Sequence, residues 1–114
     1  MEQDSLHQSW FELINKLEAI IGKRPNDLNA VLYLIGIQEL GKGAKVFSKE
    51  EKQDILHIAT CKILCYDGFY EYSHRDEDGW PHYTLIKTVD KDIIQKQVRM
   101  IRRNILRYFE DQGI

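Results

Sequence analysis

Asp54, His57, Cys61 and Cys65 follow one another at spacings of three, four and four residues. On a helix these positions fall within about 80° of each other, stacked turn by turn on one side. Imidazole and thiolate are good ligands for zinc or iron, and a carboxylate can join them. Asp54-Ile55-Leu56-His57 also has the carboxylate-x-x-His spacing of carboxylate-bridged di-metal bundles. Glu39, His74 and His82 are further donors, so the candidate metal set is Asp54, His57, Cys61 and Glu39.

A simpler account stands beside it. Reduced cysteine is often a small buried hydrophobe, and one histidine on an apolar helix commonly has a hydrogen-bond partner. A di-metal bundle needs the motif on a second helix, with Glu where this chain has Asp. Glu71-Tyr72-Ser73-His74 copies the spacing, but in a segment that reads as a strand, where those two side chains face opposite ways. The expectation is no cofactor, with zinc or iron on the Asp54/His57 face as the alternative. Convergence of three of Glu39, Asp54, His57, His74 and His82 on one cleft would raise metal or enzyme chemistry above a plain interaction surface.

A second group surrounds the acidic run Asp76-Glu77-Asp78-Gly79. The run has part of a calcium loop but lacks the other ligands and the closing Glu, so it reads as a tight, solubilising turn. Trp80, Pro81, His82 and Tyr83 follow, and Phe69, Tyr70 and Tyr72 precede it. Such aromatics either roof a core or anchor a partner, and two faces can do both. Trp80, His82 and Tyr83 are candidates for a partner surface. Arg99 and Arg103 join them from the basic side of the last helix, where Lys96, Arg99, Arg103 and Arg107 share one face on a helical wheel. Gly41-Lys42-Gly43-Ala44-Lys45 lacks the spacing of a phosphate loop, the nucleophile elbow is absent, and no His-and-acid pair flanks the cysteines. Catalytic residues therefore stay unassigned.

The elements that must position these groups are legible from periodicity. Ser5-Leu6-His7-Gln8 reads as a capping box, and Leu6, Trp10, Leu13, Leu17 and Ile20 then form one apolar stripe, closed by Gly22 and Pro25. After Asn26 or Asp27 comes a helix whose middle, Ala30 to Ile37, is apolar all round, ended by Gly41 and Gly43. Ser48-Lys49-Glu50-Glu51 is a second capping box and opens a third helix to about Tyr66, stopped by Asp67-Gly68. The period then changes. Phe69–Ser73 and Tyr83–Val89 predict a β-hairpin, with Pro81 confining its strand to an edge. Asp90 opens a single last helix with Ile94, Val98, Ile101, Ile105 and Tyr108 on one side. The expected fold is mainly α: a four-helix bundle-like single domain over residues 1–114, with one β-hairpin between the third and fourth helices.

Composition narrows the function classes. A chain of 114 residues that is 43% hydrophobic can bury one core. A net charge of −2 gives no whole-protein attraction to nucleic acid or anionic membrane. Residues from Lys91 onward carry six basic and three acidic side chains, while the hairpin region is strongly acidic. Cysteines four apart on a helix do not aim for an unstrained disulfide, and the polar acidic start Met1-Glu2-Gln3-Asp4 lacks the features of a signal peptide. No apolar run is long enough to span a bilayer. A cytoplasmic protein is expected.

Three helices, a hairpin and a long helix is also the order of some winged-helix regulators, and Cys61–Tyr72 resembles their helix-to-wing junction. The third helix offers apolar side chains where base-edge contacts are needed, and the wing tip is acidic, so nucleic-acid binding is only an alternative. Ile35-Gly36-Ile37-Gln38-Glu39-Leu40-Gly41, Phe47 to Asp54, and Asp78-Gly79-Trp80-Pro81-His82 resemble small uncharacterised bacterial proteins over about the middle half of the chain. That resemblance implies no activity, cofactor or site. The expected function is a non-enzymatic interaction or scaffold module, binding another protein or itself as a homodimer. The second helix, apolar on many faces, and the opposed charges of hairpin and last helix favour the homodimer.

Overall fold

The computed structural model describes residues 2–43 and 45–114, with side chains from residue 5 onward. Ala44 of the short basic loop, Met1 and the side chains of the acidic start lie outside it. The chain forms two compact units, residues 28–90 and a second made of residues 1–27 and 91–114.

The unit of residues 28–90 is built on two helices, α2 (Leu28–Leu40) and α3 (Lys49–Leu64). The all-round apolar reading of α2 holds: Val31, Leu32, Ile35, Gly36 and Leu40 are buried. Gly36 lets it approach α3 closely, since a Cβ there would overlap the carbonyl oxygen and Cγ2 of Ile55. Leu40, Phe47 and Ile55 form a buried cluster, with Tyr33, Ile37 and Trp80 packed around it. A 3-10 turn, Cys65–Asp67, ends α3, and Gly68 follows in the left-handed conformation.

The hairpin pairs β1 (Tyr70–Arg75) with β2 (Pro81–Leu85), antiparallel. The second strand starts and ends earlier than hydropathy suggested: Pro81 sits at its first position, and the pairing closes where Ile86 N and Lys87 N both donate to the Phe69 carbonyl, at 2.8 Å and 3.3 Å. Between Tyr72 and His74 the register shifts by a bulge, leaving His74 opposite His82 and Arg75 opposite Pro81. One face of this small sheet rests on α3, which supplies the support an isolated hairpin lacks.

In the other unit, α1 (Glu2–Ile21) lies along α5 (Val98–Asp111). Two sequence expectations are corrected here. Helix α1 begins at Glu2, so Ser5-x-x-Gln8 lies inside the helix and caps nothing. The single last helix is two: α4 (Ile93–Lys96), then a break at Gln97, whose φ of −122° and ψ of 47° are not helical, then α5. The Gln97 carbonyl accepts from Ile101 N at 2.9 Å, which opens α5 afresh. Ile101, Ile105 and Tyr108 of the expected stripe are fully buried, while Val98 is exposed. Arg102 stacks its guanidinium over the Trp10 ring, 5.0 Å from the centroid.

Candidate functional site

The side chains singled out on α3 and on the hairpin meet in one place. Ser48 and Glu51 start α3 with both bonds of the capping box: Glu51 N donates to Ser48 Oγ at 3.1 Å, and Ser48 N donates to Glu51 Oε1 at 2.9 Å. These bonds, the Ser48 amide foremost, hold the Glu51 carboxyl below its usual pKa. Asp54, His57 and Cys61 then follow on consecutive turns.

Arg75 fixes the hairpin from the far end of α2. Its guanidinium donates to the carbonyls of Glu39 at 2.6 Å, Leu40 at 3.3 Å and Gly79 at 2.7 Å. A cation is thereby placed on the free carbonyls at a helix C-terminus. Asp76 shapes the turn: its Oδ1 accepts from the amides of Asp78 at 2.9 Å and Trp80 at 3.0 Å, an Asx turn. Its Oδ2 pairs with His82 Nε2 at 2.9 Å. The His82 bond, then the Trp80 amide, hold the Asp76 carboxyl below the ordinary range.

Between α3 and the hairpin lies a cleft of about 330 Å³. Helix α3 contributes Asp54, His57, Ile58 and Cys61, and the hairpin contributes Asp76, Trp80, Pro81, His82 and Tyr83. Cys61 Sγ lies 3.4 Å from His57 Nε2. Burial pushes the Cys61 thiol up to about 12, opposed by the neighbouring Tyr70 hydroxyl. Burial therefore favours the neutral thiol over the nucleophilic thiolate at this sulfur. Cys65, also raised by burial, donates to the Cys61 carbonyl at 3.2 Å. Burial likewise raises Tyr83 well above the usual phenol, keeping its hydroxyl protonated.

No family model matches the chain, and no curated protein or solved structure matches it. Its site must be read from its own side chains.

Of the candidate metal set, Asp54, His57 and Cys61 line the cleft, whereas Glu39 turns to Lys62 Nζ at 4.0 Å. Asp54, His57 and His82, three of the five donors, line one cleft without their side chains meeting at one point. Among the described residues, no three His, Cys, Asp or Glu side chains are grouped to hold a metal ion. The His74 and His82 rings stack with centroids 4.9 Å apart and planes 6° from parallel. Their in-plane lone pairs therefore cannot meet on one ion in this arrangement. Ser73 Oγ and Asp76 Oδ2 already engage His74 Nδ1 and His82 Nε2, at 2.8 Å and 2.9 Å.

Trp80, His82 and Tyr83, the proposed partner surface, line the same cleft. Arg99 and Arg103 belong to the other unit. There Arg103 lines a groove of about 530 Å³ along α1 and α5, with Lys16, Arg107, Glu12 and Glu110. Asp76 was read only as part of a tight turn, which it is, and neither its pairing with His82 nor the grip of Arg75 was foreseen. The available signals were an Asp opening a D-x-D-G turn and one lone cation in an acidic run.

Proposed function

We propose that the protein is a recognition module that holds a segment of another protein in the cleft between α3 and the hairpin. One observation carries the reading: polar and aromatic side chains from α3 and from the hairpin line a single concave site, whose hairpin wall is fixed by Arg75 and Asp76. Concavity, apolar lining and a few placed polar groups are what ligand sites share. The protonated Cys61 speaks against thiol chemistry there. Nucleic acid suits the surface poorly, because Asp54 and Asp76 line the cleft and the hairpin tip is acidic. Self-association into a homodimer belongs to the same reading, resting on the opposed charges of hairpin and α5; α2 adds no support, since its apolar side chains are covered within the chain.

The test is selection of short random peptides on phage, followed by titration of the recovered peptides into ¹⁵N-labelled protein. Saturable shifts at Asp54, His57, Trp80 and Tyr83 are expected. Peptides that shift only other residues, or none recovered, would sink the reading. A second reading has its own support: the Asp76–His82 pair opens on the cleft beside Asp54 and His57, the parts of an acid–base site. Under that reading a bound peptide is chemically altered on incubation, and His82→Asn abolishes the change. Under the first, its mass is unchanged.

A further inference from the structure

We propose that the group held in the cleft is a cation, the ammonium or guanidinium end of a lysine or arginine side chain in the partner segment; this rests on the recognition reading above. The cleft wall carries two carboxylates, Asp54 and Asp76, and no Lys or Arg lines it. The two carboxylates differ in what they have left to offer. Asp76 already accepts from two amides and faces His82. Asp54 is exposed on the rim and has no ion-pair or hydrogen-bond partner among the described residues. It is the open counter-charge.

The aromatic lining points the same way. Tyr83 brings an aromatic ring to the same wall, and ring faces attract ammonium and guanidinium groups; the Trp80 ring, packed on the Leu40–Phe47–Ile55 cluster, already makes one such contact, with Lys42 Nζ 5.6 Å from its centroid. The wider field agrees. Residues 28–90 hold seven basic and ten acidic side chains, a net −3, with Glu71, Asp76, Glu77 and Asp78 on the hairpin. Such a field draws a basic segment in and repels an acidic one. At about 330 Å³ the cleft suits one side-chain end with its flanking backbone.

The experiment titrates Nα-acetyl-lysine amide and Nα-acetyl-arginine amide into ¹⁵N-labelled protein. Nα-acetyl-norleucine amide serves as the neutral control and cadaverine as a free amine. Saturable shifts at Asp54, His57, Trp80 and Tyr83 are expected from the two cationic amides, with affinity falling about fivefold in Asp54→Asn and falling as salt rises. Asp54 is exposed, so this variant keeps the wild-type amide spectrum elsewhere. Norleucine binding as tightly as lysine would overturn the cation while leaving the recognition reading in place. Phage-recovered peptides that fill the cleft without a basic residue would do the same. Cadaverine binding more tightly than either amide would overturn the side-chain source. If neither amides nor recovered peptides reach the cleft, both readings fail together.

Discussion

Cys61 shows how burial decides chemistry at a single atom. Sequence spacing alone made it a ligand or a hydrophobe; it is buried, and that burial raises its thiol to about 12. Its folded pKa lies above the unfolded value of 9.0, so the stability it contributes is intact below pH 9 and is lost as pH climbs toward about 12. Urea denaturation at rising alkaline pH is expected to show a loss in wild type that is smaller in Cys61→Ala. Iodoacetamide should also modify Cys61 far more slowly in folded than in unfolded protein at pH 8. Asp76 has the opposite sign. Its carboxyl is lowered, so its hold on the turn is present above the ordinary carboxylate range and lost as pH falls through the lowered value. The Asp78 and Trp80 amide resonances are expected to move together in that acid window in wild type and to stay still in Asp76→Asn. The α3 face of the cleft was legible because three- and four-residue spacing fixes a helical face. The Asp76–His82 pair was not, because it depends on the geometry of the Asp76–Trp80 turn, which sets His82 beside Asp76 and which residue type alone does not fix.

Elements with strong local signals were read well. The Ser48/Glu51 box forms both of its bonds, and Ser48→Ala is expected to cost about 1 kcal/mol in chemical denaturation. The α2–α3 crossing is a matter of shape. Gly36→Ala would gain helix propensity, about 1 kcal/mol, but drive a methyl into the backbone of Ile55. Overpacking of this kind costs about 1–3 kcal/mol or more, so net destabilisation is expected in urea melts. A stabilised variant would mean that the two helices slide apart freely. The hairpin was foreseen in place and type, though its second strand was set too late in the chain. The misses were helix ends. Ser5-x-x-Gln8 matched a cap by residue type only, and helical periodicity runs straight across Gln97, where the backbone breaks.

At the scale of the molecule, the mainly helical class with one antiparallel hairpin is as the sequence indicated, and no helix among the described residues is long and apolar enough to cross a membrane. Division into units built from residues 28–90 and from the two flanking segments is marked at one junction only, by the turn-rich run Gly22-Lys23-Arg24-Pro25-Asn26-Asp27, whereas Thr88-Val89-Asp90-Lys91 carries no Gly or Pro. The homodimer is a claim about the whole particle. Light scattering at micromolar concentration is expected to give twice the 13.5 kDa chain mass, and a monomer there removes that part of the proposal. Arg75, finally, makes the hairpin and the end of α2 mechanically one piece, since a single guanidinium grips Glu39, Leu40 and Gly79. Tension on the strands would be felt first as fraying of that last helical turn. The Gly41 amide, bonded to the Ile37 carbonyl at 3.1 Å, is its gauge: deuterium should enter there sooner once Arg75 is replaced by Met, and later when an occupant steadies the strands.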